Sequence, residues 1–63
     1  MKKFNVYYTI KKAGQKAITK YYLIQASDKT TAIILAKDKG IIWRSKGYLF
    51  DITKTEESQG FYV

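Results

Sequence analysis

The chemistry in this chain of 63 residues is concentrated in its six tyrosines and twelve basic side chains. Tyr7 and Tyr21, set in β-prone runs and fringed by Lys11, Lys12, Lys16 and Lys20, have the composition of a stacking platform for unpaired bases with ammonium groups for the backbone. Arg44 and Lys46 form a second basic pair beside a later turn. Eleven of the twelve cations are Lys and one is Arg44, a set suited to touching phosphate. Reading base edges would call for the planar forks of arginine. Tyr is equally a favoured strand residue, and cross-strand Tyr pairs stabilise sheets without binding anything.

Catalysis has little material. The chain holds no Cys and no His, which removes the usual zinc ligands and the easiest general base near neutral pH. Glu56 and Glu57 are adjacent in a polar stretch, Asp28 and Asp38 stand ten residues apart, and the glycines are scattered at 14, 40, 47 and 60, so neither a carboxylate pair nor a phosphate-cradling loop is apparent. The expectation is a protein that is not an enzyme, with no cofactor and no metal.

The elements that must position the tyrosines and lysines follow from periodicity. Residues 3–11 alternate, with Phe4, Val6, Tyr8 and Ile10 on one side and Asn5, Tyr7, Thr9 and Lys11 on the other. A turn at Gly14 leads into a second run, 17–26, whose core side is read as Ile18, Tyr22, Ile24 and Ala26. Ser27 or Asp28 then caps a helix over about 28–39, with Gly40 as its terminator. On this helix Ala32, Ile33, Leu35 and Ala36 share one arc. Ile34 points away, to be covered by the C-terminal segment or exposed at a contact. Ile41–Arg44 reads as a short strand, Ser45-Lys46-Gly47 as a turn, and residues 48–55 as an alternating strand with Tyr48, Phe50 and Ile52 inward. The sum is an α+β fold, a two-layer ββαββ arrangement with one helix across an antiparallel sheet, and a small five-stranded barrel is the alternative.

Length allows one domain, 1–63, with a small core, since a chain of this size withdraws only about 60% of its unfolded surface from water. The net charge of +7 is uneven: residues 1–27 carry six lysines and no acid, whereas Asp51, Glu56 and Glu57 stand near the end. Such a field favours negatively charged partners. The absence of a long apolar run predicts no membrane association and a cytoplasmic protein. Trp43 is either a core plug or a binding hot spot. The final triplet Phe61-Tyr62-Val63 is expected to dock, because three exposed large side chains invite association.

The stretch Phe4-Asn-Val-Tyr-Tyr-Thr-Ile, Gly14, and Tyr22-Leu-Ile-Gln-Ala-Ser-Asp-Lys-Thr-Thr-Ala-Ile-Ile-Leu-Ala-Lys37 resembles the hairpin-then-helix opening of small accessory proteins of phages and prophages in Gram-positive bacteria. It is also similar in outline to the DNA-contacting arm domains of some phage integrases, from which no residue role is carried over. The resemblance implies a non-enzymatic protein in a bacterial host cell that binds nucleic acid or blocks a host protein. Nucleic acid, DNA or RNA, would engage Tyr7, Lys11, Lys12, Lys16, Lys20, Tyr21, Arg44 and Lys46. The alternative is an inhibitor of a host or defence factor, of the anti-restriction, anti-CRISPR or host-takeover type. It would act on an acidic surface through Ile34, Trp43, Phe61 and Tyr62. A homodimer is a further alternative.

Overall fold

Three strands and one helix follow one another as β1 (Lys2–Lys11), β2 (Ile18–Ala26), α1 (Lys29–Ser45) and β3 (Leu49–Glu57), in a computed structural model that describes residues 2–58. The sheet order is β2-β1-β3 and both pairings are antiparallel. The hairpin closes through a turn in which the Gln15 N–H donates to the Lys12 carbonyl at 2.9 Å and Gly14 takes φ +80°. That conformation suits the third residue of a type II turn and favours glycine. The alternation of β1 places Phe4, Val6, Tyr8 and Ile10 against the helix, all buried, and Ile24, Ala26, Ala32 and Ala36 complete the core. The α+β two-layer reading is therefore correct. The barrel is not formed: the sheet is open, with β2 and β3 as its edges.

The helix is longer than its sequence punctuation implies, and this changes the strand count. Gly40 does not end it. Gly40 is buried within α1, where the ring of Phe50 lies so close that a Cβ would overlap it. Ala32, Ala36 and Gly40, spaced by four, form a stripe of small residues that lets the helix lie close on the sheet. Ile41–Arg44, expected as a strand, is the last turn of α1, so no second hairpin forms and the order is ββαβ. β3 crosses the sheet instead and pairs with β1.

The left-handed residue that stops α1 is Gly47, at φ +90°. Its N–H donates to the Arg44 carbonyl at 3.0 Å and that of Tyr48 to the Trp43 carbonyl at 3.0 Å, the bond pair of a Schellman motif. At the other end Asp28 is the N-cap, its Oδ1 accepting the Thr31 N–H at 2.8 Å.

Two inward assignments need correction. Ile18 is 46% exposed, because it lies near the start of the edge strand β2. Leu35 is 38% exposed, because the small-residue stripe rather than the Leu35 side of the helix meets the sheet. A bulge at Tyr7/Tyr8 leaves Thr53 without a register partner and sets Lys54 opposite Tyr7. Phe61, Tyr62 and Val63, with the docking expected of them, lie outside the described residues.

Candidate nucleic-acid interface

The hairpin register sets Lys20 opposite Tyr8 and Tyr22 opposite Val6 on the helix-facing side of the sheet. Tyr8 and Tyr22 stack with ring centroids 4.5 Å apart, and Tyr8 meets Phe50 at 5.0 Å. The extension of α1 past Gly40 brings Trp43 over this group, where its indole N–H donates to the Tyr22 hydroxyl oxygen at 3.0 Å. The Schellman turn folds Tyr48 back so that its ring meets the Trp43 indole edge-on at 5.4 Å and 84°. Trp43 is half-buried, its ring held against Tyr22 and Tyr48 at the margin of the core.

Four lysines stand over these rings. The ammonium groups of Lys20 and Lys46 each lie 5.7 Å from the Trp43 centroid, that of Lys12 lies 5.4 Å from Tyr48, and that of Lys39 lies 6.0 Å from Tyr22. These are cation–π distances. Among the described residues none of the four is ion-paired, the ion pairs being Lys2–Glu57 at 3.7 Å and Lys54–Glu56 at 2.9 Å, both exposed. The chain's five acids are placed elsewhere: Asp28 at the helix start, Asp38 on the side of the helix away from the sheet, and Asp51, Glu56 and Glu57 on β3. The negative end of the helix dipole, worth about half a charge, partly explains why Arg44 and Lys46 sit here but is far outweighed by four ammonium groups.

Between β2 and the end of α1 lies an open cleft of about 420 Å³, lined by Tyr8, Thr19, Lys20, Tyr21 and Trp43. Burial, together with the neighbouring Tyr22 hydroxyl, pushes the Tyr8 phenol up to about 12. Tyr8 is therefore an uncharged hydroxyl at neutral pH, with no phenolate to repel an anion.

Among the described residues nothing covers the opposite side of the sheet, since α1 packs on one face only. Tyr7 and Tyr21 lie there with centroids 5.6 Å apart, Tyr21 59% exposed and Tyr7 half-buried. Their row ends in Lys54, but the neighbouring rows end in Asp51 and Glu56, so this face is less basic than the Trp43 end.

Lys12, Lys20 and Lys46 are thus brought together. Lys11 and Lys16 lie in or beside the hairpin turn and Arg44 on the last turn of α1, all exposed, while Tyr7 and Tyr21 sit on the other face. Sequence reasoning missed Tyr8, Tyr22, Lys39 and Tyr48 as members of the site. The usable signal was the repeat Ala32-Ala36-Gly40 continued by Trp43, together with Gly47 one residue before Tyr48.

A second feature lies on the outward side of α1. Ile34, Leu35, Ile41 and Ile42 form an exposed apolar stripe around Asp38, centred about 160° around the helix from the small residues, at 100° per residue. Among the described residues nothing covers Ile34.

No protein-family model, curated protein or solved structure matches the chain.

Proposed function

We propose that this protein is a small non-enzymatic nucleic-acid-binding protein that holds its ligand chiefly by phosphate contacts. The observation that carries this reading is the set of four ammonium groups, Lys12, Lys20, Lys39 and Lys46, poised over Tyr22, Trp43 and Tyr48 with no carboxylate partner among the described residues. Unneutralised cations beside exposed aromatic surface suit a polyanion that also carries stackable rings. Tyr7 and Tyr21 add a second aromatic surface across the sheet. Binding of DNA and RNA oligonucleotides, titrated at low and at moderate salt, tests the reading. The expected result is association that weakens steeply with salt; no association with either polymer at low salt rules it out.

The stripe of Ile34, Leu35, Ile41 and Ile42 favours a second reading, in which α1 docks on a protein partner such as a host factor. Under that reading Ile34→Lys abolishes capture of the partner and leaves oligonucleotide binding intact.

A further inference from the structure

The phosphate-binding reading does not say whether the ligand is single- or double-stranded, and the cleft beside Trp43 bears on this. Its volume of about 420 Å³, open to solvent, is that of a site for one small ligand group. Trp43 brings its ring to this cleft, Tyr8, Thr19 and Tyr21 complete the lining, and the cations come from β2 through Lys20 and from the helix end through Lys46. The indole is held by two contacts, its N–H donating to the Tyr22 hydroxyl oxygen and its ring meeting that of Tyr48 in a T-shaped pair, so the ring is fixed before any ligand arrives. A preset ring loses little conformational freedom on binding.

From these contacts we infer that the cleft takes one unpaired nucleotide of a single-stranded nucleic acid, the base against the Trp43 indole and the phosphate on Lys20 and Lys46. This rests on the nucleic-acid reading above and narrows its ligand to single strands. A base within a duplex cannot enter without being unstacked and unpaired, at a cost of a few kcal/mol.

The chain has one tryptophan, so Trp43 emission reports this cleft directly. An oligothymidylate of about twelve nucleotides, free or annealed to oligoadenylate, is titrated against the whole protein, with association followed separately by the anisotropy of a labelled strand. The free strand is expected to quench Trp43 and to bind more tightly than the duplex. Trp43→Leu should weaken single-strand binding about 5- to 150-fold, the range for loss of one stacked base, with little effect on the duplex. Trp43→Phe should restore part of the loss, and Lys20→Gln with Lys46→Gln, in which every ring is kept, should weaken binding while leaving the fold intact. If the free strand binds by anisotropy while Trp43 emission stays unchanged and both substitutions at 43 are neutral in well-folded protein, the cleft assignment fails and phosphate binding stands. Equal affinity for strand and duplex also overturns it. Absence of binding to both overturns the nucleic-acid reading itself.

Discussion

Trp43 and Tyr22, 21 positions apart, are joined by a 3.0 Å hydrogen bond from the indole N–H to the phenol oxygen, which ties the last turn of the helix to the edge strand β2. The Tyr22 hydroxyl in turn donates to the Lys39 carbonyl at 3.4 Å, so one phenol links two points of the helix. Tyr22→Phe leaves the indole N–H without that acceptor and should cost about 1–3 kcal/mol. Trp43→Phe removes the donor as well, so the double variant should be less destabilised than the sum of the singles. Thermal unfolding of all three proteins measures this coupling.

Gly40 lies beneath the Phe50 ring, and the usual gain from replacing a helical glycine is reversed there. Gly40→Ala should lose about 1–3 kcal/mol through overpacking, although the same change in an exposed helix would gain about 0.5–1 kcal/mol. Combining it with Phe50→Leu should recover part of the loss. A Tm for Gly40→Ala equal to or above that of the parent would show that ring and helix are not in contact as described.

Two ionisations set opposite ends of the pH–stability profile. Tyr8 carries its proton up to about pH 12 in the folded protein, against an ordinary value of 10.0. Its contribution is complete below pH 10.0 and is lost as the pH rises towards 12. Asp28 is held below its ordinary 3.8 by hydrogen bonds from Thr31, so its contribution is present above that value and disappears as the pH falls through the lowered one. Asp28→Asn, which keeps a capping oxygen, should flatten the acid limb alone in chemical denaturation at stepped pH.

Salt dependence gives an independent count of phosphate contacts. If Lys20 and Lys46 hold one phosphate of a single strand between them, the double change Lys20→Gln/Lys46→Gln should reduce the slope of log K against log salt by about 0.7. Lys54→Gln, which removes a lysine paired with Glu56 on the far edge of the sheet, should leave the slope unchanged.

The hairpin was legible in the sequence because alternation along residues 3–11 has a single solution once one face is buried, and Gly14 marks its turn. The helix start was legible through Asp28. The helix end was not, because Gly40 has two physical uses, a left-handed stop and a close approach, and only the location of Phe50 decides between them. The run Ile41-Ile42-Trp43 is as β-prone as it is apolar, and it stays helical because the stop signal is placed four residues beyond it, at Gly47. The lysines were visible as charge. Their convergence was not, since it depends on the helix end, the start of β2 and the hairpin turn meeting at one end of the molecule. Tyr7 and Tyr21 were placed on the open face from alternation alone, and they lie there.

The most direct test of the central claim is the amide and indole spectrum of isotopically labelled protein titrated with single-stranded oligothymidylate. The prediction is that the single indole N–H signal of Trp43 shifts progressively, together with the amides of residues 18–22 and 43–48. Shifts confined to Ile34, Leu35, Ile41 and Ile42, or a spectrum unchanged at saturating oligonucleotide, would contradict it.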